Sequence, residues 1–374
     1  MATAAEYSLG QHTFPRGWFM VADASRVTQK PHSVRFFGRD MVLYRGESGT
    51  AYMVGAYCPH MGTHIGKSET SFMSMKNEQV EGESIRCPYH AWRYGPDGKC
   101  NNIPYSEAIP PKAELGSYAI VERYGALWHW HDPEGGEPDF DLPDLPEWDE
   151  LGYVHNTYDE LGAMNLHQVE VVDNICDAQH LHPIHASQNI YFENRIRGAR
   201  VCQLLGSKHE LLGVNADMSE FVTWYTGPGI LLSRYHADNP NPSYMIITHT
   251  PIDDGSVYVW HAVLTKIADR EPTEEDVAQA QVQQKMSRGA FAQDFEIWSN
   301  KRPCLKPMQM PADGNFLKVR TWYKQFYAPR SEVPAILERC EGTYQVPGIP
   351  GAEEYDARDS YAHAFPAETA EAAE

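Results

Sequence analysis

Apolar and polar positions alternate in short runs through the first third of the chain. Ser33-Val-Arg-Phe-Phe37, Met41-Val-Leu-Tyr44 and Ala51-Tyr-Met-Val54 have the pattern of half-buried strands, and Gly, Asp and Ser turns separate them. The runs Tyr118–Tyr124 and Ala126–Trp130, divided by Gly125, predict two more. The pattern then lapses. Residues 132–146 are so rich in Pro, Gly and acid that they predict a linker and a domain boundary. Beyond them the pattern predicts a helix around 164–181, strands near 220–236 and 243–265, and a long proline-free helix from Thr273 to Asn300. Thr273-Glu-Glu-Asp276 has the form of a helix start, with acids at the positive end of the dipole. Residues 366–374 are small and acidic and read as a disordered tail. No internal repeat stands out.

Composition narrows the classes. A length of 374 residues suits two to three domains, and 42% hydrophobic against 22% charged residues is enough to bury cores. Lys and Arg number 31 against 51 Asp and Glu, a formal net charge of −20. That balance argues against nucleic acid or an anionic membrane as partner, since both need basic patches. No apolar run approaches the roughly 20 residues that span a bilayer. The start, Met1 to Glu6, lacks the charged and apolar regions of a secretory signal, so the expectation is a cytoplasmic protein. Seven cysteines, an odd number widely spread, do not suggest a disulfide framework. With 17 histidines clustered partly beside them, metal ligation becomes the first question.

Cys58-Pro-His60 and Cys87-Pro-Tyr-His90 form one constellation, each bracket in a loop that contains glycine. Two thiolates and two imidazoles suit a tetrahedral zinc, or a two-iron cluster with cysteines on one iron and histidines on the other. Asp173-Asn-Ile-Cys-Asp177-Ala-Gln-His180-Leu-His-Pro-Ile-His185 is the second. Asp177 and His180 are three apart and would share a helix face. His180 and His185 are five apart, and Pro183 between them breaks or kinks the turn in a way that could bring them together. Two imidazoles and a carboxylate make the facial triad of non-haem iron oxygenases. The distant acid could be Asp294 or Glu296, both within Phe291–Trp298 of the long helix. His236, His249 and His261 lie on strand-like runs and read as polar core or pocket groups, and Cys100 as a plain buried thiol.

The first constellation, with the following Trp92-Arg-Tyr-Gly95, resembles the Rieske [2Fe–2S] motif of ring-hydroxylating and related oxygenases. The interval between its brackets is longer than is usual there, so residues 69–79 are expected to be an inserted excursion. The second resembles the family's N-x-x-D-x-x-H-x-x-x-x-H motif at Asn174, Asp177, His180 and His185. Gln293-Asp294 with Ile297-Trp298 resembles its Q-D-x-x-I-W motif. Pro15–Trp18, Asn102–Tyr105 and Thr248–Asp253 look most like the 3-ketosteroid 9α-hydroxylase oxygenases and cholesterol 7-desaturases. The resemblance covers roughly residues 15–330.

It implies an α+β chain: an all-β Rieske domain at 16–135, then a helix-grip-like catalytic domain at 136–365 with 1–15, made of an antiparallel sheet and flanking helices. It further implies Cys58, His60, Cys87 and His90 on the cluster, and His180, His185 and Asp294 on a mononuclear Fe(II), with Asn174 near the iron. Asp177, three before His180, is expected to carry electrons between the two centres as a hydrogen-bonded carboxylate. The resemblance places that bridge between neighbours in a head-to-tail homotrimer, with His90 of one chain facing Asp177 of the next. The expected activity is terminal monooxygenation. O2 is the co-substrate, and electrons come from NAD(P)H through a separate ferredoxin or flavin reductase, because no dinucleotide fingerprint is found in this chain. The expected substrate is a bulky lipophilic ring compound such as a steroid. Alternatives are dihydroxylation or O-demethylation of a smaller aromatic, a Rieske electron carrier joined to a binding domain, and a zinc-stabilised interaction protein.

Overall fold

The computed structural model describes residues 1–209, 218–236, 243–267, 269–310, 312–355 and 364–365. Residues 366–374, read above as a tail, lie outside them. The chain divides into two compact units: Phe19–Trp130 with Thr250–Asp253, and Met1–Trp18 with His131–His249 and Asp254–Glu374.

Short strands dominate the first part. In order they are β1 (Gly17–Asp23), β2 (His32–Phe36), β3 (Arg39–Arg45), β4 (Ala51–Gly55), β5 (Val80–Glu81), β6 (Ser84–Arg86), β7 (Arg93–Tyr94), β8 (Cys100–Asn102), β9 (Ser117–Tyr118), β10 (Ile120–Arg123) and β11 (Ala126–His131). They form the sheets β1-β11-β10, β2-β3-β4-β9 and β5-β6-β7-β8. Two hairpins close with two-residue turns, Phe37-Gly38 and Tyr124-Gly125. Both residues of each turn have positive φ, the backbone that matches the right-handed twist of the flanking strands. The expected excursion holds a one-turn helix, α1 (Phe72–Met75), capped by Ser71. Cys58 and Cys87 are themselves core residues here, packed with Val42, Tyr44, Val54, Ile85, Trp92 and Tyr94.

The larger unit is built on an antiparallel sheet in the order β12-β19-β18-β17-β16-β15-β14-β20, with β13 also paired to β19. Its strands are β12 (Tyr153–His155), β13 (Asp159–Met164), β14 (Ser187–Arg197), β15 (Arg200–His209), β16 (Ser219–Thr226), β17 (Ile230–His236), β18 (Ser243–Pro251), β19 (Val257–Lys266) and β20 (Gly342–Gln345). Helices α2 (Gln168–Val172), α3 (Leu181–His185), α4 (Glu274–Asn300) and α5 (Phe316–Tyr323) accompany it. The register puts Asn194, Gln203, Thr223, Ser233 and Met245 in one row across the sheet. Leu231, Ile247, Val257 and Val259 lie on the same side and pack with Phe291, Phe295 and Trp298 of α4.

The α4 start is the one expected. Thr273 caps it, its hydroxyl accepting from the Asp276 amide while the Asp276 carboxylate accepts from the Thr273 amide. The expected helix over 164–181 is instead broken. It comprises α2, a 3₁₀ turn over Asp173–Cys176, and an extended Asp177 with φ −85° and ψ 93° before α3. Pro183 therefore does not cause the break. It stands in the first turn of α3, where a missing N–H costs little.

Candidate metal centres

The two cysteine loops repeat one backbone design. The Cys58 amide donates to the Thr63 carbonyl, and the Gly62 amide to the Cys58 carbonyl, both at 2.9 Å. In the second loop the Cys87 amide donates to Trp92 at 2.8 Å, and the Ala91 amide to Cys87 at 3.0 Å. The residue four past each cysteine is left-handed, with φ +72° at Gly62 and +57° at Ala91. Each cysteine is thereby turned inward and the following loop held tight. Cys58 and Cys87 belong to the same core cluster, and the Tyr94 hydroxyl lies 3.0 Å from the Cys58 sulfur. The neighbouring Cys87 holds the Cys58 thiol below its usual range, while Cys58 and burial push Cys87 up. The His60 and His90 rings stand 4.6 Å apart at 72°, and the buried His60 Nδ1 has no hydrogen-bond partner among the described residues.

That donor set fits a two-iron cluster. A buried ring nitrogen without a partner is costly unless something binds it, and two buried thiols beside it are readily ionised by metal. The four sequence-predicted residues are thus brought together within one unit. Cys100 is buried and carries its own bond to the Asn102 carbonyl, 3.5 Å away.

In the larger unit His180, His185 and Asp294 each offer a ligand atom, and these atoms all lie within 4.8 Å of one another. Asp294 Oδ2 is 3.1 Å from His185 Nε2, and Asp294 Oδ1 is 4.0 Å from His180 Nε2. Atoms about 2.1 Å from a shared ion at right angles would be roughly 3 Å apart, so the set could close on one with a small movement of His180. Helix α4 separates the two candidate acids. Asp294 is on the stripe with Ala280, Gln284 and Trp298 that is buried, whereas Glu296 is exposed.

Both imidazoles are held in the tautomer that frees Nε2. His180 Nδ1 donates to the Asp177 carbonyl at 2.6 Å, and His185 Nδ1 donates to Gln293 Oε1 at 3.0 Å. Asn174 Nδ2 donates to His180 Nε2 at 3.2 Å, which puts Asn174 at the same spot. Burial opposes a charge on His185, but the Asp294 carboxylate outweighs it and raises the pKa. A cation between the two would take that proton's place. This arrangement fits a metal with open positions.

Asp177 differs from the expectation in detail. Its backbone carbonyl, not its carboxylate, accepts from His180 Nδ1. Carboxylate Oδ1 caps its own turn through the Gln179 and His180 amides, and Oδ2 is 3.7 Å from Nδ1. Burial opposes its ionisation, but the nearby His180 ring and the two amides prevail and the pKa is lowered. His249 and His261 are fully buried, as core groups should be, while the His236 side chain lies outside those described.

Several positioning residues carried no motif. Asn194 Nδ2 and Gln203 Nε2, from the inner face of β14 and β15, both donate to the Ile175 carbonyl, at 2.8 and 3.0 Å. Asn189 Nδ2 donates to the Ala178 carbonyl at 2.7 Å. Three sheet amides therefore hold the turn that carries Asn174, Asp177 and His180. The buried Glu170 carboxylate accepts from Lys301 Nζ at 2.6 Å, from the Cys304 amide at 2.7 Å and from the Tyr7 hydroxyl. Arg320 grips Asp173 through two nitrogens, the closer contact being 2.6 Å. These bonds tie the end of α4 to the segment just before the turn.

Comparison with known protein families agrees with this geometry. Residues 17–119 match the Rieske [2Fe–2S] domain, and residues 129–327 match the 3-ketosteroid 9α-hydroxylase C-terminal domain, which is more than half of the chain. The chain belongs to this family of Rieske oxygenases. It is a non-haem iron monooxygenase whose cofactors are a [2Fe–2S] cluster and a mononuclear iron, with O2 as co-substrate. A probable 3-ketosteroid-9-alpha-monooxygenase oxygenase component of Rhodococcus rhodochrous is 31% identical over 88% of this chain and 84% of its own. The corresponding protein of Mycolicibacterium smegmatis is 29% identical over 88% and 86%. Cholesterol 7-desaturase of Bombyx mori is 27% identical over 85% and 70%. In fold, this oxygenase is similar to apo dicamba monooxygenase, with TM-score 0.64 at 17% identity over 86% of this chain and 99% of that one. It is also similar to Pseudomonas putida CBB5 NdmA with caffeine, with TM-score 0.63 at 16% identity over 92% and 98%. Among the described residues no helix is long and apolar enough to cross a membrane.

Proposed function

We propose that this chain is the terminal oxygenase of a multicomponent system that hydroxylates a steroid or similarly bulky fused-ring substrate. The observation that carries the reading is the convergence of His180, His185 and Asp294, on two elements 109 residues apart, in a chain related to steroid 9α-monooxygenase oxygenase components. His180, His185 and Asp294 would hold the iron, and Cys58, His60, Cys87 and His90 the cluster. When bound, the iron supplies O2 activation at open coordination positions and the cluster supplies electrons one at a time. The protein's own part is orientation. The Asp177 carbonyl and Gln293 fix the imidazoles, and Asn174 touches the His180 nitrogen that faces the metal. The apolar surface of Leu231, Met245, Phe291 and Phe295 is only partly buried and lies beside the Asp294 stripe, which suits a ligand with a rigid hydrocarbon skeleton.

Electrons would come from NAD(P)H through a ferredoxin or flavin reductase, since relatives are described as oxygenase components and this chain has no dinucleotide motif. The assembly would be a cytoplasmic homotrimer in which His90 faces Asp177 of the partner subunit and the Asp177 carboxylate links the two centres. The test is product analysis by mass spectrometry after feeding the reconstituted system a panel of 3-ketosteroids, sterols and small methoxyaromatics. Hydroxylated 3-ketosteroids are expected. Turnover of small aromatics alone would refute the steroid reading and leave the oxygenase.

A further inference from the structure

The inner face of the large sheet carries a hydroxyl pair in a mostly apolar wall. Thr223 of β16 stands directly opposite Ser233 of β17, and their hydroxyl oxygens are 2.7 Å apart. Ser233 is 3% exposed, whereas Thr223 is half-buried. Neither hydroxyl makes another hydrogen bond among the described residues. Two hydroxyls bring two protons, and their mutual bond uses one. Donation from the buried Ser233 to Thr223 leaves the Thr223 proton free on the open side. A hydroxyl that already accepts a bond is polarised into a stronger donor. Around the pair, Phe221, Leu231, Tyr235 and Met245 lie on the same face and are only partly buried. Leu231 and Met245 pack with Phe291 and Phe295 of α4, the residues on either side of Asp294. In the other direction Thr223 is paired with Gln203, one strand or about 4.8 Å away. The Gln203 amide holds the Ile175 carbonyl of the turn that carries His180.

We propose that Thr223, backed by Ser233, is the polar anchor of the substrate pocket and donates one hydrogen bond to a ring ketone. The inference rests on the reading above, in which a bulky ring compound lies against Leu231, Met245, Phe291 and Phe295. A cross-strand hydroxyl pair can be a plain feature of a sheet. This one differs in having a spare proton, and in standing between the turn that carries His180 and the apolar surface. A carbonyl oxygen accepts and has no proton of its own to satisfy, so it uses the one donor the wall offers and strands nothing. The apolar residues around the pair exclude water, which makes that single bond count for orientation as well as affinity. Thr223 is thereby a specificity-determining residue. It favours a skeleton that ends in a ketone over the same skeleton without one, and fixes which end of it points away from the iron-bearing turn.

The test uses the full chain with both metals, without O2 so that no turnover consumes the ligand. The probes are 5α-androstan-3-one, 5α-androstan-17-one and the oxygen-free hydrocarbon 5α-androstane, with Kd read from tryptophan fluorescence. Thr223→Val keeps the shape of the side chain and removes the donor. It is expected to weaken one of the two ketones about tenfold, the scale of leaving a buried acceptor unpaired, and to change the hydrocarbon by less than about twofold. Which ketone responds tells which end of the skeleton is anchored. Thr223→Ser, which restores a hydroxyl, should recover ketone binding. Thr223→Val/Ser233→Ala, in which no hydroxyl is stranded, should show the same selective loss as Thr223→Val. A merely structural role would weaken ketones and hydrocarbon alike. Equal weakening of all three probes, or no weakening of either ketone, would overturn the anchor and leave the steroid reading standing. A wild type that binds none of the three would overturn that reading and the anchor with it.

Discussion

Replacing Gln293 tests whether the protein tunes its iron through the imidazole that Gln293 holds. Gln293→Leu removes the acceptor of the 3.0 Å bond from His185 Nδ1 and leaves the ring free to rotate or change tautomer. Losing an outer partner of a metal-bound imidazole costs about 10–100-fold in affinity. Gln293 is exposed, so water can partly replace it, and the expected loss lies at the lower end, about tenfold or ~1.4 kcal/mol. Gln293→Glu should act in the opposite direction. A carboxylate acceptor is roughly twice as strong as a neutral one and makes the imidazole a better donor to metal. The assay is ferrous-iron affinity by chelator competition at pH 7, with the cluster spectrum as a check that the rest of the chain is intact. Wild-type affinity in Gln293→Leu, or weaker binding in Gln293→Glu than in Gln293→Leu, would refute the reasoning.

Lys301→Met should destabilise the chain by about 2–3 kcal/mol in denaturant titration, because it strands the buried Glu170 carboxylate; the lower range allows for the partial exposure of Lys301. Glu170→Gln/Lys301→Met should recover much of that loss, and equal costs for the single and double variants would contradict the pairing. Stability should also fall in mild acid. Burial holds His167 at about 4, below its unfolded value of 6.5, so below pH 6.5 the unfolded chain binds more protons. The stabilisation is whole above pH 6.5 and lost towards pH 4, about 2 kcal/mol of it by pH 5. His167→Asn, which keeps a side-chain cap for α2, should flatten that part of the pH curve, and an unchanged slope would place the sensitivity elsewhere. Asp177→Asn should retain both metals and lose most turnover; retained turnover would remove the carboxylate from the electron path.

Local signals were the readable ones. The strands around the cysteine brackets and the capped start of α4 follow from residues a few positions apart, and so do the brackets themselves. The break at Asp177 was not readable, because nothing in 173–180 forbids a helix. What opens the turn is the grip of Asn189, Asn194 and Gln203, contributed by strands that come later. The same amides explain why β14 and β15, the longest strands beside the site, gave no clear signal. Their inner face carries Asn194 and Gln203 among Phe192, Ile196 and Val201, while Tyr191 and Glu193 are buried on the other side, so the alternation of apolar and polar positions is lost. Residue types alone left Asp294 and Glu296 equal as distant acids. The resemblance to the Q-D-x-x-I-W motif favoured Asp294, and the burial of one helix stripe gives the physical reason.

The account depends most on an iron held by His180, His185 and Asp294, and counting metal tests it directly. Iron and acid-labile sulfide should be measured on the purified wild type and on Asp294→Ala. The wild type should give about three irons and two sulfides per chain, and the variant about two of each with an unchanged cluster spectrum. A wild type with only the two cluster irons, or a variant that keeps the third, would contradict it.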